Sequence, residues 1–375
     1  MGHIAKTKER KMEHIEICLR ENVQFSKPAG FEDVEFVHCA IPEVNLDEVS
    51  LETSLFNKKL KAPIIIAAMT GGTRKGGEIN AFLATLAEEF GVGIGVGSQR
   101  AAIEDASLRE TFSVVREKAP TTLKIANIGA PQLVKGYSVK ELEKIVSMIE
   151  ADVLAVHLNT LQEAIQPEGE TIFRGVLERL KHIAEALGVP VMVKETGCGV
   201  ALEEAILLEE AGVKAIDVGG AGGTSWSAVE HFRRRSEDQL GKTFWDWGIP
   251  TVVTTVEVAS ATNLKVIATG GVRSGIHVAK AIAVGASAAG IAYPFLEPAY
   301  RRDYHKGRSL MEKLIKELKV TMFLTGSRRV DDLKRARVVI TGRTAEWLKL
   351  RGVDTALFAK GERPTLKMTG KPKAS

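Results

Sequence analysis

The stretch "HLNTLQE" (157–163) sets an imidazole, two carboxamides and a carboxylate directly behind the apolar run "ADVLAV". Histidine can accept or pass a proton, the amides of Asn159 and Gln162 can orient a polar ligand, and Glu163 can hold a cation. If the run is a β-strand, Leu154, Val156 and Leu158 share one face, and Val153, Ala155, His157 and Asn159 share the other. Gln162 and Glu163 fall in the loop just beyond. A buried histidine satisfied by Asn159 would account for His157 alone. Four polar groups converging on one strand end suit a ligand site better than a solvated loop.

Other runs end in the same way. Lys194 closes "VPVMVKET" and shares its parity with Met192, so it points inward if Met192 does. A lysine in that position needs an anion or a shifted pKa, a snorkelling rim lysine being the plainer reading. In "GVGIGVG", Gly93, Gly95 and Gly97 share a face. That face offers either room for something flat against the backbone or a narrow layer filled by neighbours, and both readings stay open. "ATGGVRSG" supplies Gly270, Gly271 and Arg273, and Thr224 with Ser225 follows another glycine-rich stretch. Backbone N–H groups in such loops, ahead of a helix, suit a phosphate. Taken together, a phosphate on these loops, a flat ligand and a lysine beneath it describe a flavin mononucleotide site.

A second anion site is suggested by Arg10 and Lys11 in "RKMEH" and by Ser98 and Arg100 in "SQR". Among these cations the Glu163 carboxylate is self-defeating unless a metal lies between it and more negative charge. Mg²⁺ bound through one carboxylate and substrate phosphates fits. A solvated helix face (Arg10, Lys11) and a rim ion pair (Glu163) are the plain alternatives.

These residues need a scaffold that gathers strand ends. From about residue 62 the chain alternates short apolar runs with amphipathic ones. The runs are "APIIIAAM", "GVGIGVGS", "TLKIANIG", "DVLAVHLN", "VPVMVKET", "VKAIDVGG", "LKVIATGG" and "ASAAGIAY". Helical stretches such as 78–90, 139–150 and 201–212 lie between them. Eight strands alternating with helices predict an α/β fold, a (β/α)₈ TIM barrel whose active site sits at the C-terminal strand ends. The doubly wound alternative lacks a G-x-G-x-x-G loop opening a helix. The expected division is an N-terminal extension (1–61) that contributes to the substrate site, a barrel (62–355) with an excursion after strand six (220–248), and a disordered basic tail (356–375).

Composition narrows the partners. Lys+Arg 51 against Asp+Glu 47 gives a net charge of only +4, too mild for nucleic acid, so a basic patch would serve a small anion. Cys18, Cys39 and Cys198 are too few and scattered for a disulfide framework or zinc cluster. "MGHIAKTKERKMEH" has no apolar signal core, and "APIIIAAM" is too short to span a bilayer. We therefore expect a cytoplasmic protein with no nucleic-acid or membrane partner.

In order along the chain, "RKMEH", "AAMTGG", "VGSQR", "HLNTLQE", "VKETGCG", "GGAGGTSW", "ATGGVRSG" and "GIAYPFL" resemble type 2 isopentenyl-diphosphate isomerase, the flavin-dependent form. The resemblance covers about residues 6–350. It implies an FMN-bound barrel that interconverts isopentenyl and dimethylallyl diphosphate using reduced FMN and Mg²⁺, with NADPH as reductant, in a homotetramer or homo-octamer. Position by position it implies FMN contacts at Ala68, Met69, Thr70, Ser98, Asn127, Lys194 and Thr224, with the phosphate on Gly270, Gly271, Val272, Arg273, Ala292 and Tyr293. Substrate diphosphate would meet Arg10, Lys11, Ser98, Gln99, Arg100, His157, Asn159 and Gln162, with Glu163 on the metal. The catalytic set would be Gln162, His157 and Lys194 beside reduced FMN as acid and base, Gln162 and His157 orienting the substrate and Lys194 facing the flavin's N1–C2 carbonyl edge. The nearest rival is an FMN-dependent oxidoreductase of the 2-hydroxy-acid oxidase or inosine-monophosphate dehydrogenase type. Its only candidate thiol is Cys198, which reads more simply as a small buried residue. Two further rivals are a Schiff-base role for Lys194 and a flavin-binding sensor with no turnover.

Overall fold

The computed structural model describes residues 2–234 and 239–366. Eight parallel strands close into a barrel: β1 (Ile64–Ile66), β2 (Gly93–Gly95), β3 (Lys124–Gly129), β4 (Val153–Leu158), β5 (Val191–Glu195), β6 (Ala215–Asp217), β7 (Lys265–Ala268) and β8 (Ala288–Ile291). Each pairs with its neighbours in chain order, and β8 returns to β1. The expected barrel is present, each strand lying within its predicted run. Among the described residues no helix is long and apolar enough to cross a membrane.

Alternation of side chains divides the apolar residues into two cores. Ile65, Ile125, Val153, Ala155, Met192, Ala215, Ile267 and Ala288 fill the bore. Outward neighbours such as Leu154, Val156 and Val193 join the much larger core beneath the helices. The bore is plugged from below by an antiparallel hairpin, Thr53–Leu55 with Lys58–Leu60, which inserts Leu55 and Leu60. Phe56 and Asn57 turn this hairpin with φ of 50° and 62°, the twist two-residue hairpins favour. With the lower end packed by apolar side chains, the polar strand ends at the top remain the open end.

The segment before the barrel is stitched into it. Helix α1 (Gly2–Arg20) crosses the top. The chain then runs beside the loop after β6, where Phe25 N donates to Gly223 O and Ser225 N to Val23 O. Val34–Phe36 pairs antiparallel with Val338–Ile340, tying this segment to the C-terminal part.

The expected tail boundary is corrected. Beyond residue 355 the chain forms the short helix Ala356–Ala359, buries Phe358 completely and docks Leu366 N on Ser260 O at 2.8 Å. The basic, aperiodic composition of the stretch concealed its single buried aromatic, which is enough to fix a short segment. Residues 367–375 of the expected tail lie outside the described residues. Replacing Phe358 by Ala should therefore lower the unfolding free energy by about 3–5 kcal/mol in urea titration. Replacement of the exposed Lys360 should change it by less than about 0.5 kcal/mol. A neutral Phe358→Ala would restore the tail reading.

Candidate active site

Strand register sets the floor of the site. Gly129 pairs with His157, His157 with Lys194 and Lys194 with Asp217, so β3 to β6 bring one layer of inward positions to the barrel mouth. Directly below lie Ala155, Met192 and Ala215 of the apolar bore. Asn127 holds the ring of His157: its amide N–H donates to Val96 O at 3.0 Å, which turns its oxygen to His157 Nδ1 at 2.8 Å. Nδ1 is thereby the protonated nitrogen, and Nε2 is left as an acceptor. Burial, reinforced by the charges of Lys194, Arg100 and Lys11, pushes the imidazole pKa down to about 3, so the ring is neutral throughout the physiological range.

Lys194 does meet an anion. Its ammonium donates to Glu195 O at 2.8 Å and lies 3.8 Å from the buried carboxylate of Asp217. Thr269, at the end of β7, donates its hydroxyl to the same carboxylate. Neither Asp217 nor Thr269 was among the sequence candidates. "AIDVGG" shows an aspartate at a strand end, and the parity argument applied to His157 would have selected it.

The open question over the glycine face of β2 is settled in favour of neighbours. A Cβ on Gly95 would sit 3.2 Å from Ala68 N, and one on Gly97 2.7 Å from Thr70 O. The bare face therefore admits the backbone of Ala68–Thr70, which folds across the mouth. Opposite it the loops after β6 and β7 pack backbone to backbone. Gly270 (φ 103°) and Gly271 (φ 74°) adopt conformations that favour glycine, and a Cβ there would strike Gly220 O or Gly222 O. Arg273 follows, half-buried. Its guanidinium donates to Gln24 Oε1 at 2.7 Å and lies over the Tyr293 ring, and among the described residues no carboxylate pairs with it. A half-buried guanidinium without a carboxylate partner, beside a glycine cradle, suits an anion.

A second cationic end comes from α1. Arg10, Lys11, His14, Ile15 and Cys18 face the cleft at helical spacing. Lys11 donates to Gly71 O (2.7 Å) and Ser98 O (3.2 Å). Burial, then the charges of Arg10 and Arg100, lowers its pKa to about 7. Arg10 is lowered by burial and by Arg100. Arg100 is offset by Glu170 at 2.9 Å and Glu104 at 3.7 Å. Between the two cationic ends lies a polar cluster centred on the short helix Thr160–Ile165, which begins directly after β4 and carries Gln162 and Glu163 where a loop was expected. Asn159 donates to Gln162 Oε1 (3.2 Å) and Glu163 Oε1 (2.8 Å), and Gln166 Nε2 and Glu170 N donate to Glu163 Oε2 at 2.6 Å each. Gln162 in turn donates to Glu230 Oε1 at 3.3 Å.

Glu230 is the largest omission of the sequence reading. It sits fully buried on helix α2 (Trp226–Arg234) of the excursion and also joins His14 (2.8 Å) and Arg233 (2.8 Å). Trp226 of the same helix lines the cleft and meets the His14 ring at 5.1 Å. Nothing in "WSAVEHF" marks these residues, because their partners come from α1 and β4.

Two predicted residues do not face the cleft. Gln99 is completely buried, its amide donating to Ile145 O (2.9 Å) and its oxygen accepting from Asn127 N (3.0 Å). It lies on the opposite side of the chain from Ser98, so its side chain braces the helix layer. Ser225 is 1% exposed and bonds Trp245 O (2.7 Å) and Ala228 N (3.1 Å), which caps α2. The other predicted residues all line one cleft: Arg10, Lys11, Ala68, Met69, Thr70, Ser98, Arg100, Asn127, His157, Asn159, Gln162, Glu163, Lys194, Thr224, Gly270, Gly271, Val272, Arg273, Ala292 and Tyr293. Two polar atoms in it, Thr70 Oγ1 and Asn159 Oδ1, are buried without a partner. Cys198 does not line the cleft, and burial pushes its thiol up, away from the reactive thiolate.

Comparison with known proteins places this geometry. The family model for FMN-dependent dehydrogenases matches residues 158–340. The chain is 48% identical over 362 residues to isopentenyl-diphosphate delta-isomerase of Methanosarcina barkeri, covering 95% of this chain and 98% of that protein. With the enzyme of that name from Pyrococcus furiosus the identity is 47% over 371 residues, covering 96% and 93%. Among solved structures, a flavocytochrome b2 variant with pyruvate bound superposes with TM-score 0.65 at 18% identity, covering 95% of this chain and 90% of that one. A Pediococcus acidilactici lactate oxidase gives TM-score 0.62 at 17%, covering 90% and 94%, and at such identities the likeness is one of fold. Near-half identity along almost the whole length decides the matter: this chain belongs to the isopentenyl-diphosphate delta-isomerase family.

Proposed function

We propose that this chain is a type 2, flavin-dependent isomerase that interconverts isopentenyl and dimethylallyl diphosphate, with FMN and substrate sharing the barrel-mouth cleft. The observation that carries the reading is the pairing of two cationic ends in one cleft: half-buried Arg273, without a carboxylate partner among the described residues, in its glycine cradle, and Arg10 with Lys11 at the helix that follows β4. The first end fits the FMN phosphate, held by Gly270, Gly271, Val272, Arg273, Ala292 and Tyr293. Thr70, whose hydroxyl lacks a partner, together with Ala68, Met69, Asn127, Lys194 and Thr224, would line the ring. When bound in its reduced form, FMN supplies an electron-rich face that can exchange a proton and favour positive charge nearby.

The second end fits a diphosphate, through Arg10, Lys11, Ser98, Arg100, Asn159 and Gln162. Among the described residues no group of three metal-ligating side chains exists. A lone Glu163 carboxylate beside the partnerless Asn159 Oδ1 suits a Mg²⁺ shared with substrate phosphates rather than one caged by protein. NADPH as the reductant, a homotetramer or homo-octamer and a cytoplasmic setting belong to the same proposal.

Moving the double bond adds a proton at one carbon and removes one from a neighbour, through a species with tertiary-cation character that water would capture. The chain's own groups answer this. Trp226, Ile15, Met69 and Leu296 give the cleft apolar wall. His157 is neutral with an acceptor nitrogen and adds no repelling charge. Gln162 is gripped at both ends, by Asn159 and Glu230, and so orients the isoprenoid end. The nearest rival, a 2-hydroxy-acid oxidase or inosine-monophosphate dehydrogenase type of oxidoreductase, leaves the Arg10–Lys11–Glu163 end without a purpose.

Anaerobic incubation with FMN, NADPH, Mg²⁺ and isopentenyl diphosphate should yield the allylic isomer with no net NADPH consumption; flavin uptake without isomer would refute the reading. Because Lys11 carries its charge below about pH 7, kcat/KM for the diphosphate should fall as pH rises through that value, and Lys11→Met should lack this limb. Glu163→Gln should raise the Mg²⁺ concentration for half-maximal rate by more than about tenfold, measured by titration of turnover.

A further inference from the structure

The Asp217 carboxylate has no role in the scheme above, yet it is buried at the mouth layer beside Lys194. Its two oxygens are used differently. Oδ1 is pinned by the Thr269 hydroxyl from β7 and by Gly219 N at 3.3 Å. Oδ2 faces the Lys194 ammonium at 3.8 Å, beyond hydrogen-bond reach. Burial pushes this carboxyl's pKa up, while every group directed at it, the Lys194 ammonium, the Thr269 hydroxyl and Gly219 N, is a donor that favours the ionised form. The ammonium is fixed by a different contact, the 2.8 Å bond to Glu195 O. Asp217 therefore contributes charge to Lys194 rather than position.

Resting on the reading that Lys194 lies against the ring of bound FMN, we propose that Asp217 is a positioning residue for charge: it partly neutralises Lys194 and so restrains the preference of the site for reduced, anionic flavin. A free lysine cation at that edge would stabilise the negative charge gained on reduction, and a fixed carboxylate a few ångströms behind it offsets part of that field. Thr269 and Gly219 N keep the offset partial by preventing the carboxylate from closing on the ammonium. An isomerase that needs a flavin able to hold and release a proton gains from an edge that is neither strongly cationic nor neutral.

The test is the two-electron reduction potential of FMN-reconstituted protein, measured spectroscopically against reference dyes. Asp217→Asn should raise the potential, strengthening reduced over oxidised FMN binding about tenfold, which corresponds to about 30 mV. Thr269→Val frees the carboxylate to approach Lys194 and should move the potential the opposite way. In a Lys194→Met background the Asp217→Asn shift should largely disappear, since the effect acts through the ammonium. A merely structural Asp217 would weaken both redox forms equally and leave the potential unchanged. No shift, a downward shift in Asp217→Asn, or the same shift with and without Lys194 would each overturn the proposal. If unaltered protein takes up no FMN, the flavin reading itself has failed, a result separate from these.

Discussion

Register between β3 and β6 is the constraint on which the site depends. With Gly129, His157, Lys194 and Asp217 held in one layer, an acceptor imidazole, an ammonium and a carboxylate lie side by side above an apolar bore. A slip of one residue would turn all three into the helix layer and bring Val156 and Val193 to the mouth. The bore prevents this from below, because Ala155, Met192 and Ala215 must stay inside for Leu55 and Leu60 to plug it. Packing at the closed end thus fixes chemistry at the open one.

Electrostatics at the mouth follows from that placement. Several cations surround a cleft partly shielded from water, and the chain offsets them unevenly. Glu170 and Glu104 lie against Arg100 and Asp217 lies near Lys194, while Arg273 meets no carboxylate among the described residues. A half-buried cation without a carboxylate beside it would gain from an anionic partner. The two ends differ in construction. Backbone and glycine shape the Arg273 end, whereas helix α1 and the short helix after β4 supply side chains to the other.

Glu230 joins these parts. One buried carboxylate receives His14 from α1, Gln162 from the short helix after β4 and Arg233 from its own helix. Burial alone would push its pKa up, but the hydrogen bond and charge from His14, and Arg233, hold it below the usual range. The N-terminal helix, the excursion after β6 and Gln162 are therefore one hydrogen-bonded unit.

Alternation of apolar runs and helices was enough to determine the barrel, because burial on two faces demands continuous β-rich runs and the mouth demands polar strand ends. The same period-two argument placed His157, Asn159 and Lys194, and it would have found Asp217. What the sequence could not carry was contact between distant segments. Glu230 and His14 meet only because α1 crosses onto the excursion, and Arg100, at the start of the helix Arg100–Glu104, meets Glu170 beyond β4. Ser225 and Gln99 look like ligand groups in sequence, yet tertiary packing spends their polar atoms on Trp245 O and Ile145 O. Phe358 folds a stretch that composition marks as a tail. Local periodicity is written in neighbouring residues and survives reading in one dimension. Which donor satisfies which acceptor is decided only when the chain returns on itself, since a buried polar atom takes whichever partner the fold brings near.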